Sequence, residues 1–529
     1  MITFAVLPME ITAPKIEYGL LAPVLVIFAA ACLGVLAEAL APREIRRVVQ
    51  LFIAFVSLAL ALVTTVLNWA AGDEAIVAVN SLALDGPTYF MWTIVIIFSA
   101  AALLMFAETK IESASVFAPQ AAAVPGTVAE REAIRRRVEH TEVFPLALFA
   151  VLGMMLFPAS NDLITMFVSL EILSLPLYLL CGLARRRRLL SQEAALKYFL
   201  LGALSSAFFI YGAAFLYGYS GSFTLAAIDD AVRNNKQGLG LLLAGMALLG
   251  VGLLFKFSAV PFHSWTPDVY AGAPTPVTGF MAACTKIAAV GALMRVFYVA
   301  LGADRWDWQP VMAIIAVATM AVGSVLAITQ TDIKRMLAYS SIAHAGFMMV
   351  AFVGASQAVT GSRPGGLTSV SSVMFYLVAY GAATIGAFAL VTMVRDPTGE
   401  ATLLSSWVGL GRRAPLAATI FSIFMLSFAG IPLTSGFVGK WAVFAAAWTG
   451  GVQWLVVVAV VISVVAAFFY IRVIVLMFFA EPRITATSVI RPGWTTLAAV
   501  GVGVVATVAF GVFPGPLLAL AQQAGEFIR

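Results

Sequence analysis

The ionisable residues that stand inside long apolar runs are the groups in this sequence that could do chemistry. Glu171 lies within LITMFVSLEILSLPLYLL, Lys256 within LLLAGMALLGVGLLFKF, Lys286 within VTGFMAACTKIAAVGAL, and Lys440 follows FAGIPLTSGFVG. A charge at the centre of a bilayer costs at least about 2.5–3.5 kcal/mol, so such residues are kept where they face a cavity or pair with one another. Residues of this kind mark ion pathways and proton relays. The pattern therefore indicates proton or ion transfer through a membrane.

Three further residues extend this set of candidates. His344 lies in LAYSSIAHAGF and His263 directly follows Phe262 in VPFHSW, while Lys197 stands near the start of an apolar helix. Histidine titrates near neutral pH and suits a relay, although a lone histidine is more often structural. Lys197 is close enough to a helix end for its side chain to extend to the interface instead. No second ligand stands at metal spacing, so the sequence predicts no bound metal.

The composition decides the class of protein. Of 529 residues, 62% are hydrophobic and 11% are charged, with a net charge of +5 and a mean hydropathy of +1.00. A soluble domain carries about 25% charged residues, so this chain must be solvated by lipid. The basic residues fall in short loops, which argues against nucleic-acid binding. Three scattered cysteines and the absence of nucleotide-binding glycine motifs predict that this chain holds no cofactor.

A membrane-crossing helix needs about 20 mostly apolar residues, and the sequence offers fourteen such spans. Two of them are too long for one straight crossing and contain Pro261 and Pro432, which predicts two broken helices. The fold class is therefore an all-α polytopic membrane protein. The predicted spans are 18–40, 48–69, 87–107, 143–159, 161–183, 191–219, 238–273, 276–301, 309–329, 332–353, 367–394, 415–449, 452–480 and 493–522.

Paired broken helices at corresponding places are typical of transporters built from inverted repeats. We therefore predict two five-helix repeats, 143–301 and 309–480. The flanking regions are 1–142, with three helices and a cytoplasmic linker at 108–142, and 481–529, with one further helix. Fourteen spans place nineteen Lys and Arg residues on one side and six on the other. Because basic loops stay in the cytoplasm, both termini are predicted on the outer side.

Three motifs carry a family resemblance. They are PFHSWTPDVYAGAPTPVTGFMAACTKIAAVGAL (261–293), TQTDIKRMLAYSSIAHAGF (329–347) and LSFAGIPLTSGFVGKW (426–441). Over roughly 143–480 the chain resembles the antiporter-like subunits of NADH:quinone oxidoreductase (complex I) and of multi-subunit Na⁺/H⁺ antiporters. Lysine at 440 differs from the M branch of that family, and the single span after 480 differs from the L branch. The resemblance is thus to the N branch.

The resemblance implies roles for the buried residues. The glutamate of the family's fifth helix corresponds to Glu171, and the lysines of its broken seventh helix and of its eighth helix correspond to Lys256 and Lys286. The ionisable residue of the twelfth helix corresponds to Lys440. The relay histidine corresponds to His344, and the lysine of the sixth helix corresponds to Lys197. It also implies a bacterial plasma membrane, other complex I subunits as partners, and NADH, FMN, iron–sulfur clusters and quinone on those subunits. Our hypothesis is that Glu171 and Lys256 form a charge pair that opens and closes, which drives a proton onward.

Several functions remain open on sequence alone. The same charges would serve a subunit of a Na⁺/H⁺ antiporter without a redox partner, or of a membrane-bound hydrogenase. They could instead hold subunits together in a membrane anchor. A quinone-binding redox subunit is disfavoured, because no set of cofactor ligands is present.

Overall fold

The structure, a computed structural model, describes residues 16–111, 115–117, 127–128, 132, 140–234, 238–355, 367–397, 399–481 and 487–528. Helices dominate these residues. In chain order they are α1 (Tyr18–Leu40), α2 (Arg43–Ala71), α3 (Gly86–Phe106), α4 (Val143–Ala159), α5 (Leu163–Cys181), α6 (Arg188–Ser220), α7 (Leu225–Asn234), α8 (Leu239–Phe257), α9 (Trp265–Gly272), α10 (Thr275–Ala300), α11 (Arg305–Thr329), α12 (Ile333–Val353), α13 (Ser369–Met393), α14 (Leu410–Arg413), α15 (Pro415–Ala429), α16 (Ser435–Thr449), α17 (Gln453–Phe478), α18 (Trp494–Val512) and α19 (Gly515–Gln523).

Short strands join some of these helices. Strands β1 (Ala75–Val77) and β2 (Leu82–Leu84) form an antiparallel hairpin before α3. Strand β3 (Val394–Asp396) pairs antiparallel with both β4 (Gly399–Glu400) and β5 (Ser488–Val489), at the end of α13. None of these strands exceeds three residues, so they fasten loops and do not form a sheet core.

Twelve helices among the described residues are long and apolar enough to cross a membrane. The two remaining predicted spans, 143–159 and 415–449, correspond to the shorter α4 and to α15 with α16. The prediction of an all-α polytopic membrane protein is confirmed. The predicted linker at 108–142 lies mostly outside the described residues.

The broken helices fall where proline predicted them. Helix α8 ends at Phe257, followed by Ser258 in the left-handed conformation (φ 67°), and α9 begins seven residues later at Trp265. Helix α15 ends at Ala429, followed by Gly430 at φ 82°, and α16 begins at Ser435. Each proline lies inside a gap, where its missing N–H costs no helical hydrogen bond.

The two gaps are also alike in sequence. Residues 257–264 read FSAVPFHS and residues 428–435 read FAGIPLTS, so phenylalanine, proline and serine recur at the same places. Helices α5 and α12 match in a similar way: Asp162 and Asp332 each cap their helix by accepting two backbone N–H groups of the first turn. These correspondences favour the division into repeats 143–301 and 309–480, which stays a prediction, as do the flanking regions 1–142 and 481–529.

Burial separates central from peripheral helices. Helices α10, α12 and α13 are buried along almost their whole length, whereas only 28–39% of the residues are buried in the apolar parts of α1, α2, α17 and α18. Helix α10 contains a π-helical turn at Met281–Thr285, and Lys286 follows it directly. Such turns are rare and occur often at functional sites. These central helices carry Lys286 and His344, whereas Lys256 and Lys440 lie on α8 and α16.

A fully buried ion pair joins helix α10 to the segments packed around it. Arg295 on α10 donates through Nη2 to Asp85 at 2.8 and 3.0 Å, and both side chains have no exposed surface. The Nε of Arg295 donates to the Pro158 carbonyl oxygen at 2.6 Å. Asp85 also caps α3 and accepts from the Ile528 N–H at 3.1 Å. One pair therefore joins α3, α4, α10 and the segment after α19.

We expect Arg295→Met to destabilise the chain by about 3–5 kcal/mol, because it leaves the Asp85 carboxylate buried without a partner. The double variant Arg295→Met/Asp85→Leu should recover much of this loss, since it removes both charges. The measurement is the temperature at which the detergent-solubilised chain aggregates. Arg305→Met is the control, because its guanidinium lies over the exposed ring of Trp306. Equal aggregation temperatures for Arg295→Met and Arg305→Met would contradict the expectation.

Candidate functional site

Lys256 stands in the last turn of α8, just before the first helix break. Its ammonium donates to the hydroxyl of Ser174 at 2.8 Å and to that of Tyr198 at 2.9 Å. It also lies 5.0 Å from the centre of the Tyr198 ring, and the residue is 3% exposed. Two hydroxyls and an aromatic face thus replace the water that a lysine normally binds.

Glu171 lies near this lysine but does not touch it. Its carboxylate accepts a short hydrogen bond from the Ser206 hydroxyl of α6. Ser174, which binds Lys256, follows Glu171 by three residues on α5, so both project from one face of the helix. The described ion pairs include none between Glu171 and Lys256. The predicted charge pair is separated in this structure, with each group bonded to a different serine hydroxyl.

Lys286 reaches the end of the broken helix from α10. Its ammonium donates to the Ser341 carbonyl oxygen at 2.7 Å and to the Phe257 carbonyl oxygen at 3.4 Å. Phe257 is the last residue of α8, so this carbonyl has lost its helical partner. Because Phe257 directly follows Lys256, the contact connects the first lysine to the second.

His344 lies one turn beyond Ser341 on α12 and connects to two tyrosines. Its Nδ1 is 2.6 Å from the Tyr376 hydroxyl of α13, and its Nε2 is 3.1 Å from the Tyr470 hydroxyl of α17. Tyr470 in turn lies 2.5 Å from the Ser340 hydroxyl. Neither tyrosine is among the residues predicted from the sequence. The one sequence feature that could have identified them is a tyrosine inside an apolar span, because a buried phenol needs a hydrogen-bond partner.

Lys440 occupies the second half of the second broken helix. Its ammonium donates to the Ala429 carbonyl oxygen at 3.0 Å and to the Ser463 hydroxyl at 2.9 Å. It lies 4.7 Å from the centre of the Phe347 ring, and Phe347 is one turn beyond His344 on α12. Ala429 ends α15, so each broken helix has a lysine bonded to the carbonyl at its end.

Two predicted residues lie outside this buried line. Lys197 pairs with Glu193 at 2.6 Å and Asp268 at 2.7 Å, and its side chain is 40% exposed. Asp268 also pairs with Arg335 at 2.7 Å. His263 lies in the first helix break, half-buried, and its Nδ1 has no hydrogen-bond partner among the described residues. The structure brings neither side chain to the other candidates.

The remaining five candidates form one line across the centre of the chain. It runs from α5 through α8, α10 and α12 to α16, and four of its members are almost fully buried. The hydroxyls of serine and tyrosine stand beside these members, and a hydroxyl can both give and accept a proton. The arrangement can therefore pass protons between fixed ionisable groups. Within the described residues, no three His, Cys, Asp or Glu side chains converge on a point.

Residues 160–469 match the family described as NADH:quinone oxidoreductase/Mrp antiporter, transmembrane. NADH-quinone oxidoreductase subunit N of Rhodococcus opacus is 56% identical, with 98% of each chain covered. A chain of respiratory complex I from Thermus thermophilus is 34% identical, with a TM-score of 0.73 over 95% of this chain and 100% of that one. A chain of the Mrp complex from Dietzia shares the fold at 20% identity, with a TM-score of 0.78 over 96% of this chain and 97% of that one.

The chain therefore belongs to the family of proton-antiporter-type membrane subunits found in NADH:quinone oxidoreductases and Mrp antiporters. Its similarity over nearly the whole length places it with the N subunits of the oxidoreductases. The prediction of the N branch is confirmed.

The contact between Lys440 and the second helix break can be tested at Gly430. A Cβ atom there would stand 2.8 Å from the Cδ of Lys440, in a left-handed backbone conformation. Gly451 is a matched control, because it has φ 90° but no atom within 4 Å of such a Cβ. Both alanine variants carry the backbone cost of about 1–2 kcal/mol. We expect Gly430→Ala to lower the aggregation temperature further than Gly451→Ala; equal values would show that Lys440 moves aside freely.

Proposed function

We propose that this chain carries protons across the membrane along Glu171, Lys256, Lys286, His344 and Lys440, as a subunit of complex I. The observation that carries the proposal is that Lys256, Lys286 and Lys440 are each buried and each donate to a hydroxyl or to a carbonyl beside a helix break. Buried ionisable residues facing the interior of a helix bundle are rare and are retained for ion transfer. The proposal extends the family membership to a path within this chain.

Loading begins at Glu171 and Lys256. A carboxylate that approaches an ammonium favours the charged form, and one that withdraws leaves the ammonium in an apolar site that favours the neutral amine. The structure supports the withdrawn arrangement, because Glu171 is bonded to Ser206 and Lys256 to Ser174 and Tyr198. A movement of Glu171 toward Ser174 loads a proton on Lys256, and the return releases it.

Transfer then proceeds through the central helices. Lys286 receives the proton beside Phe257, and His344 passes it on with the Tyr376 and Tyr470 hydroxyls and with water. Lys440 is the last carrier before the opposite face. The helix breaks give water room, because irregular backbone in a membrane is kept where it lines a protein-enclosed or wet cavity. Lys197 and His263 do not carry protons in this proposal.

The energy comes from other subunits. Moving one charge against 100 mV costs about 2.3 kcal/mol, so uphill transfer needs a coupled reaction. The relatives' name, NADH-quinone oxidoreductase subunit N, supports quinone reduction as that reaction. In this proposal NADH, FMN, iron–sulfur clusters and quinone are bound by the other membrane and peripheral subunits of complex I, which are the partners of this chain in the lipid bilayer.

We also propose that the chain lies in a bacterial plasma membrane with both termini on the outer side. The excess of Lys and Arg in the loops on one side supports this orientation. It places the Arg185–Arg188 loop and the start of α12 on the cytoplasmic side. The Ile528 contact with Asp85 then lies on the outer side.

We expect Lys256→Ala to abolish coupled proton pumping while the complex still assembles. The measurement is NADH-driven quenching of a pH-sensitive dye in inverted membrane vesicles, normalised to NADH:quinone activity. Lys197→Ala is the control, because its ammonium lies off the buried line and is partly exposed. Full pumping by Lys256→Ala would falsify the path. A Lys256→Ala complex that is missing from a blue-native gel would favour the membrane-anchor function instead.

We expect Tyr376→Phe to remove most of the pumping rate, since it deletes the hydroxyl at His344 Nδ1. A positioned proton-transfer group contributes roughly 10²–10⁴-fold. Tyr298→Phe is the matched control, because that buried hydroxyl contacts the Phe352 carbonyl and Ser369 and none of the carriers. The same vesicle assay serves for both variants. Equal pumping by the two would exclude Tyr376 from the path.

A further inference from the structure

Glu171 lies at the edge of the helix bundle, whereas Lys256 lies inside it. Val168 and Leu175, about one turn before and after Glu171 on α5, are 48% and 51% exposed, and Glu171 itself is half-buried. Lys256 is only 3% exposed. The carboxylate and the ammonium of the predicted pair therefore occupy different surroundings, and one of them has to move before they can meet.

The Ser206 hydroxyl of α6 holds the carboxylate at this edge. It donates to the Oε1 atom of Glu171 through a short hydrogen bond. Within the described ranges of the chain, no other hydrogen-bond donor to this carboxylate is seen. Hydrogen bonds in which one partner is ionised are stronger than those between neutral groups. Ser206 therefore stabilises one position of the Glu171 side chain.

The packing of α5 against α6 places Ser206 beside this carboxylate. Gly202 stands one turn before Ser206, and a Cβ atom at Gly202 would collide with the hydroxyl of Tyr178 on α5. Residues four apart lie on the same face of a helix, so Gly202 and Ser206 both face α5. The close contact at Gly202 fixes the position of the Ser206 backbone. The longer side chain of Glu171 is thus the partner that moves.

The hydroxyl of Ser206 interacts with one of the two states of the charge pair. In the separated state Glu171 accepts from Ser206, and Lys256 donates to the hydroxyls of Ser174 and Tyr198. In the paired state the carboxylate has to leave Ser206. A group that stabilises one state and not the other shifts the equilibrium between them.

We propose that Ser206 is a positioning residue that holds Glu171 away from Lys256 and so sets how long the charge pair stays open. This inference rests on the proposed proton path. Without the hydroxyl the separated carboxylate loses its donor, and the paired state becomes more populated. A carboxylate beside Lys256 favours the charged ammonium and opposes the release of its proton. Loss of Ser206 therefore slows the path at the step in which Lys256 gives up its proton.

Ser205 provides a matched control on the same helix. It is buried, and its hydroxyl donates to the Gly252 carbonyl oxygen of α8 at 3.3 Å, so it faces α8 and not Glu171. Ser205→Ala removes the same atom as Ser206→Ala from the neighbouring position. Ser206→Thr is the conservative variant, because it keeps a hydroxyl at the Cβ atom.

The test uses the complete complex, assembled with each variant. The first measurement is the initial rate of NADH-driven quenching of a pH-sensitive dye in inverted membrane vesicles, per amount of complex on a blue-native gel. The second is the separation between the Glu171 carboxylate and the Lys256 ammonium in structures of the purified variant complexes by electron cryomicroscopy. A merely structural role of Ser206 would leave this separation unchanged.

We expect Ser206→Ala to pump roughly tenfold more slowly, Ser206→Thr to stay within about twofold of the wild type, and Ser205→Ala to match it. In Ser206→Ala the two charged groups should lie within about 4 Å of each other. If Ser206→Ala does not assemble, Ser206→Cys takes its place, because a thiol is a weak donor.

The inference is overturned when Ser206→Ala and Ser205→Ala pump alike, when Ser206→Thr is as slow as Ser206→Ala, or when the two charged groups stay apart in Ser206→Ala. The Lys256→Ala variant separates this failure from that of the path itself. Loss of pumping in Lys256→Ala together with full pumping in Ser206→Ala rejects the role of Ser206 alone, whereas full pumping in Lys256→Ala rejects the path.

Discussion

The hydrogen bond between a lysine ammonium and the carbonyl at the end of a broken helix is the interaction on which the site depends. Breaking a helix inside a membrane leaves backbone carbonyls without partners, and each costs several kcal/mol in hydrocarbon. A buried ammonium has the complementary need. Lys286 donates to the carbonyl of Phe257, and Lys440 donates to that of Ala429. Each hydrogen bond thus lowers the cost of an unpaired carbonyl and that of a buried ammonium together.

Much of this could be predicted from the sequence because the relevant signals are local. Twenty-residue apolar runs, Pro261 and Pro432, and single charges inside those runs are visible without any tertiary contact. The partners of those charges are not. Lys197 reaches Asp268, and Glu171 bonds to Ser206 instead of Lys256, because the packing of α5, α6 and α9 decides which groups meet. Tyr376 and Tyr470 were missed for the same reason.

The burial of the helices accounts for the placement of Lys286 on α10 and of His344 on α12. Helices α10, α12 and α13 are surrounded by others, and the peripheral helices α1, α2, α17 and α18 expose apolar side chains to the surroundings. A cation on a central helix can be satisfied by neighbouring carbonyls, hydroxyls and rings. The same fold recurs in the Mrp chain of Dietzia at 20% identity, so the architecture tolerates wide sequence change.

The choice of acceptor at Lys286 has a consequence for the geometry of transfer. A carboxylate in this place would favour the charged form of the lysine and so oppose the release of its proton. The carbonyl oxygens of Ser341 and Phe257 accept from an amine as well as from an ammonium. In the proposed transfer the side chain can therefore keep the same two acceptors in both protonation states, and Lys286 can gain or lose a proton without a large movement of its carbon chain.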